Sequence, residues 1–182
     1  TQESLMPTYN NIDEYIKTLC DAITQQHTDY GAIDIKDKQG EYQQLNDCLL
    51  QIENEFYSVI RPKRTAKSGQ TALSALANGG IEYIEVRCLD LNHFEDVGIN
   101  KQQIQFLDIF LLYCLLEESP PSDKNENQKI LHNQKRMVYE GRKPDLKLHD
   151  FDKERSTAQW SQEIMGKLQL IAELIDTQNN SE

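Results

Sequence analysis

No stretch of this chain is apolar for the roughly 18 residues that a membrane-spanning helix requires, and no signal-peptide pattern precedes the first periodic segment. A helical membrane span is thereby excluded, and the expected location is cytoplasmic. An excess of positive charge is also missing: the formal net charge is −11. Such a chain repels phosphate backbones as a whole, so general nucleic-acid binding is disfavoured, although a local basic site is not. Close cysteine pairs are absent, since Cys20, Cys48, Cys88 and Cys114 stand far apart. An even number admits a disulfide framework. In a chain of this length without a secretory signal the expectation is reduced core thiols, with Cys88 and Cys114 at core-facing positions. Zinc-finger spacing is lacking, because His27, His93, His132 and His149 have no cysteine at ligand intervals. Neither a Walker-type loop nor a Gly-x-Gly-x-x-Gly turn is present. Any nucleotide would therefore have to be held by a metal and arginines on a sheet rather than by a glycine-rich cradle.

What is there is enough for one domain with a core, or a domain with an appendage: 182 residues, opening on "TQESLMPTYNN". A first residue of Thr1 reads as an excised or processed piece. Ile12, Tyr15, Ile16, Leu19 and Ile23 fall on one helical stripe, with Asn10 or Asn11 as its cap. "AIDIKDKQGEYQQLN" predicts a hairpin turning at Gly40. "LLQIENEFYSVIRPKR" alternates and predicts a strand, and "KSGQTALSALANGG" predicts a loop and a short helix stopped by Gly79–Gly80. A further strand is expected over 81–91. The segment 100–118 is apolar on nearly all sides, which predicts a deeply buried helix. "SPPSDKNEN" is the clearest linker, so 1–118 reads as the sheet-bearing part and 119–182 as a linker with a helical C-terminal part. In that part a weaker helix is expected over 126–140, irregular chain over "RKPDLKLHDFDKE", and a surface helix over 158–176 with Trp160, Ile164, Leu168, Ile171 and Ile175 on one face. Short links between strands favour a mainly antiparallel sheet with flanking helices, an α+β fold.

The two principal strands share an oddity. Alternate residues of a strand share a face. In 81–91 one side carries Ile84, Val86 and Cys88, and the other Tyr83, Glu85 and Arg87. In the earlier strand Gln51, Glu53, Glu55 and Tyr57 share a side, with Arg61 and Lys63 following in the same parity. A sheet with one solvated face accounts for this, as is ordinary for antiparallel sheets. A polar cleft floor also accounts for it. Same-face neighbours stand about 6–7 Å apart, a separation that lets a carboxylate hold a divalent cation while a guanidinium holds a phosphate oxygen on that cation.

The blocks "LLQIENEFYSVIRPKR", "GGIEYIEVRCLDLNHF" and "VYEGRKPDL", with the spacing between them, resemble bacterial glutamate–cysteine ligase (γ-glutamylcysteine synthetase) of the proteobacterial type. The similarity covers most of 8–176 and corresponds to the middle-to-late part of that enzyme, without its N-terminal half and a C-terminal tail. The resemblance implies an antiparallel sheet curved into a funnel, as in glutamine synthetase. It also implies a reaction in which ATP phosphorylates the glutamate γ-carboxylate and the cysteine amine displaces phosphate. By the same resemblance Glu85 is a Mg²⁺ ligand and Arg87 a catalytic group contacting ATP phosphate. Tyr57 lines the cysteine pocket, and Arg142 is either a second nucleotide contact or a loop anchor. Arg61, Lys63 and Arg64 lie near the nucleotide or stabilise the sheet. The family's Asn-Pro-Phe turn is replaced here by Asn92-His93-Phe94, which is expected to loosen that turn. The implied partners are L-glutamate, L-cysteine, ATP and the missing N-terminal half. The expected function is that of a ligase fragment inactive alone. The alternatives are a non-catalytic acidic module meeting a protein partner through its polar sheet face, and a guanidino-kinase-like enzyme.

Overall fold

The computed structural model describes residues 5–179, and the chain divides into two compact units, Thr1–Leu89 and Asp90–Glu182. The Pro-rich break at 119–122 falls inside the second unit, between its first two helices.

The first unit is built on α1 (Ile12–Thr24), with Asn11 as its cap: the Asn11 side chain accepts a hydrogen bond from the Glu14 N–H at 2.8 Å. Asp13 and Glu14 in the first turn suit the positive end of the helix dipole. The stripe Tyr15, Leu19 and Ala22 is buried against Leu50, Phe56, Leu73 and Leu76. The C-terminal carbonyls of α1 are satisfied by the following chain. Leu49 N–H donates to Gln25 O and Leu50 N–H to Ala22 O, both at 2.9 Å, which ties Leu50 into the core with no exposed surface. A short helix α2 (Thr28–Gly31) follows α1, and α3 (Ala72–Gly79) closes the core with Leu73, Ala75 and Leu76. Gly80, at φ 72°, stops α3 in a left-handed conformation that a side chain rarely adopts.

Strands are shorter than the alternation suggests. The segment 49–58 is not a strand: Glu53–Glu55 form a 3₁₀ turn, and only β1 (Ile60–Lys63) is extended and paired. Burial decides this. Leu50 and Phe56 are buried while Ile52, of the same parity, is 46% exposed, and the 3₁₀ turn lies between the two buried residues. The antiparallel partner β2 (Tyr83–Val86) covers four residues of the expected 81–91, matching the four that β1 offers. The hairpin around Gly40 is reduced to one bridge, between Lys36 and Tyr42.

The second unit holds α4 (Lys101–Leu116), α5 (Lys124–Glu140), β3 (Lys147–Asp150), β4 (Lys153–Ser156) and α6 (Thr157–Asn179). The stretch expected to be irregular is thus a β3–β4 antiparallel hairpin. It docks on α5, where the Asn133 side chain grips the backbone of His149 through both its N–H (2.8 Å) and its carbonyl (2.7 Å). The stripe on α6 points inward, with Leu168 fully covered and Trp160, Ile164, Ile171 and Ile175 half-buried. Helix α4 has the expected span and a capping box formed by Asn100 and Gln103, but it is not buried. Within this unit α6 lies along it, and Leu115 remains 79% exposed. A helix apolar on all sides needs cover on all sides, and one neighbour supplies only part. The turn at 92–98 is held despite its missing proline: Asn92 N–H donates to Gly98 O (2.7 Å), its side chain accepts from Phe94 N–H (3.1 Å), and its amide reaches Gln103 (2.9 Å).

The cysteines are unbridged, as expected, but Cys88 and Cys114 are exposed rather than core-facing. Among the described residues the sheets are two separate two-stranded ribbons, antiparallel in both cases, and helices make up most of the rest.

Candidate functional site in the β1–β2 ribbon

The site begins with register. Ile60 stands opposite Val86, Arg61 opposite Glu85, Pro62 opposite Ile84, and Lys63 opposite Tyr83. Residues directly opposite share a face, so Arg61, Lys63, Tyr83 and Glu85 lie on one side of the ribbon. Pro62 has no N–H to give, and a two-stranded ribbon tolerates it because each strand is an edge. Arg87 continues the parity of Glu85, and its N–H donates to Val59 O at 2.8 Å.

This grouping bears out part of the sequence reading and reverses another part. Glu85, Arg61 and Lys63 do converge, and Arg87 shares the parity of Glu85. The apolar side, Ile84 and Val86, was the expected core face. In this unit it is not a core face, with Ile84 44% exposed and Val86 half-buried. The polar side packs toward α1, and Arg61 is 7% exposed, the charged residue buried among the described ones. Glu53 and Glu55, expected on the polar face, are elsewhere because their segment turns. Glu53 accepts the Leu73 N–H at 2.8 Å and so caps α3, and Glu55 accepts the Gln51 N–H at 2.7 Å.

Two cations flank one carboxylate. Glu85 Oε2 lies 4.0 Å from Arg61 Nη1 and 4.0 Å from Lys63 Nζ. That oxygen is buried and has no hydrogen-bond partner. Arg87 places its guanidinium over the Tyr57 ring, 5.0 Å from the centroid, a cation–π contact that orients the planar fork. Arg61 lies beside Tyr15 in the cleft beneath the ribbon. Burial pushes the Tyr15 phenol up to about 12, with nearby Tyr9 adding to the rise and Arg61 opposing it. Burial likewise raises Tyr9, whose hydroxyl donates to Ile60 O at 3.0 Å and so pins the start of β1. Arg64, which lines the cleft beneath the ribbon with Arg61 and Lys63, donates from Nε to Gly80 O at 2.6 Å, a structural tie between the end of β1 and the end of α3. Beneath the ribbon a cleft lined by Tyr15, Glu53, Arg61 and Lys63 encloses about 20 Å³, room for a water-sized guest only.

An orphaned, buried carboxylate oxygen suits a bound cation. Mg²⁺ commonly takes one or two protein carboxylates and completes its shell with substrate phosphates and water. Among the described residues no group of three or more His, Cys, Asp and Glu side chains could hold a metal ion. Glu85 therefore fits as one ligand of a set completed by other oxygens, and the cations beside it fit the phosphates of such a set.

Tyr57 is 60% exposed beside Arg87. Arg142 belongs to the second unit, exposed in the turn after α5. His93 is exposed in the 92–98 turn. The residues that the sequence did not single out are Tyr15, which reads simply as part of an apolar stripe, and Arg61 as the partner of Glu85. The parity of Arg61 with Lys63 was visible, but its register against Glu85 was not.

Among the described residues no helix is long and apolar enough to cross a membrane. The family profile for glutamate–cysteine ligase matches residues 1–137. A glutamate–cysteine ligase of Saccharophagus degradans is 52% identical over 182 residues, covering 100% of this chain and 34% of that protein. One of Alcanivorax borkumensis is 48% identical over 179 residues, covering 96% of this chain and 34% of that protein. The crystal structure of glutamate–cysteine ligase from Francisella tularensis in complex with AMP superposes with a TM-score of 0.88 at 38% identity, over 94% of this chain and 35% of that one. The chain thus spans about a third of the length of these relatives, and by profile, sequence and structure alike it belongs to the glutamate–cysteine ligase family.

Proposed function

We propose that this chain supplies part of the active site of an ATP-dependent ligase that joins the glutamate γ-carboxylate to the cysteine amine, the first step of glutathione synthesis. The observation that carries the reading is the orphaned Glu85 oxygen between two cations, with Arg87 held beside it on Tyr57. Mg²⁺, when bound, supplies charge neutralisation at the phosphates. The chain's own residues do the following. Glu85 offers its free oxygen to the metal, and Arg87 presents a fork to a phosphate oxygen. Tyr57 holds that fork from one side and lines the cysteine pocket. Arg142 is the second guanidinium assigned to the nucleotide. The AMP-bound relative supports a nucleotide site in the family. A glutamine-synthetase-like funnel, in which β1 and β2 would be neighbouring strands of a larger curved sheet, is the fold that goes with this reading. The cytoplasm, where ATP is supplied, is its compartment.

Phosphoryl transfer depends on several groups acting together. One carboxylate and a set of cations do not amount to a full site, so the chain by itself is proposed to be inactive. Its complement is the kind of segment that makes up the remaining two-thirds of its relatives. The test is phosphate release by the isolated chain with ATP, Mg²⁺, glutamate and cysteine, and again after adding such a complement. No release alone and release on addition is the expected result. Release by the chain alone that requires both amino acids would overturn the claim of inactivity. The binding-module and guanidino-kinase alternatives gain nothing from the family match.

A further inference from the structure

The buried guanidinium of Arg61 has no counterpart in the proposed chemistry, yet it occupies the costliest position in the first unit. Burying a charge requires compensation, and a structural ion pair normally obtains it from close hydrogen bonds. Arg61 does not have that relation to Glu85. Its Nη1 stands 4.0 Å from Oε2, beyond hydrogen-bond reach, and Oε2 stays unpartnered. It is buried beside Tyr15, a core residue of α1, in the cleft beneath the ribbon. The cross-strand register then sets the guanidinium directly opposite Glu85. The arrangement holds the carboxylate by charge while leaving its oxygen free to bond something else.

We propose that Arg61, held in place by its burial and by its register opposite Glu85, is a positioning residue that aims the Glu85 carboxylate at its ligand. The inference rests on Glu85 being a metal-binding group, and it adds a residue whose role was left open between nucleotide contact and sheet support. Lys63 lies equally close to Oε2 but is the more exposed of the two and has a flexible stem, so it contributes charge rather than aim.

Charge and aim are separable because they have opposite signs. A nearby cation by itself repels a metal ion, so removing it without other consequence raises metal affinity. Loss of aim lowers it. Arg61→Lys keeps the charge and loses the buried planar fork that stands opposite Glu85. Arg61→Met loses both.

The experiment measures Mn²⁺ binding by electron paramagnetic resonance, with ATP present, in the full polypeptide and in Arg61→Lys, Arg61→Met and Glu85→Gln variants. Thermal melting of each is followed in parallel. Glu85→Gln is expected to abolish the tight Mn²⁺ site. Arg61→Lys is expected to weaken it about tenfold, a change of about 1.4 kcal/mol, under conditions where the melt shows the protein folded. Arg61→Met is expected to weaken it as well. If Glu85→Gln is lost but Arg61→Lys binds like the parent, Arg61 is sheet support and the inference fails alone. Tighter binding by Arg61→Met has the same meaning. If the parent shows no Mn²⁺ site, or Glu85→Gln retains it, the metal role of Glu85 fails and the inference falls with it. Should Arg61→Met not fold, Arg61→Lys decides.

Discussion

Removing the carboxylate of Glu53 separates local folding from catalysis in this family. In strand parity Glu53 belongs to the polar face with Glu55 and Tyr57. In the structure its oxygen accepts the Leu73 N–H at 2.8 Å, at the start of α3. Helix α3 has eight residues, three of them buried, and Thr71 accepts the Ser74 N–H at 3.2 Å beside it. Two adjacent donors at the helix start are thus satisfied, one of them by a charge. A hydrogen bond to a charged group contributes about 1.5–3 kcal/mol, and the favourable dipole is part of that total. Glu53 is half-buried, so the lower part of the range applies. Glu53→Ala is expected to cost about 1–2 kcal/mol. Glu53→Gln keeps an acceptor and loses the charge, for about 0.3–1 kcal/mol. In urea, with a slope of about 2 kcal/mol/M, the first corresponds to a midpoint lowered by about 0.5–1 M. Because α3 covers Leu19 and Tyr15 in the core, fluorescence and far-UV circular dichroism should shift together. The reasoning is refuted if Glu53→Ala leaves the midpoint in place, and more so if the same variant loses ATP or metal binding while remaining fully folded.

Leu50→Ala removes a side chain with no exposed surface, and about 2–5 kcal/mol of stability should go with it, read as a urea midpoint. Stability should decline in alkali. Tyr15 ionises near 10 when unfolded and near 12 when folded, so the stabilising difference is complete below pH 10 and is lost as pH rises toward 12. Tyr15→Phe should flatten that decline, and an unchanged slope between pH 9 and 11 would contradict the assignment. In a turning-over enzyme Glu85→Gln should lower kcat by orders of magnitude with partial rescue by excess Mg²⁺, whereas Arg87→Lys should weaken ATP use without such rescue. Val86→Ala, half-buried between them, should cost only about 0.5–1.5 kcal/mol and leave turnover near the parent value. Full activity of Glu85→Gln at limiting Mg²⁺ would remove the ligase reading of this strand.

Local pattern alone determined the helices. The stripe of α1, its Asn cap, the Gly80 stop of α3 and the inward face of α6 each follow from residues three or four apart, which is the range over which a helix satisfies its own backbone. Parity alone placed Glu85 with Arg87 and Arg61 with Lys63, because a strand's two-residue period is a local property. Long continuous blocks, rather than any short motif, made the family legible. What parity could not determine was where a strand ends. Residues 49–58 alternate as well as any strand, yet Leu50 and Phe56 pack into the core beside α1 through a 3₁₀ turn that leaves Ile52, of the same parity, 46% exposed. That long-range demand took Glu53 off the polar face and made it a cap. The same kind of cause left Ile84, Cys88 and α4 exposed where their apolar character predicted burial. A side chain's hydrophobicity states its need for a neighbour, and only the tertiary structure determines whether one is there. The pairing of Arg61 with Glu85 is the sharpest instance. The two residues are 24 positions apart, and the register that sets one opposite the other exists only when the ribbon has folded.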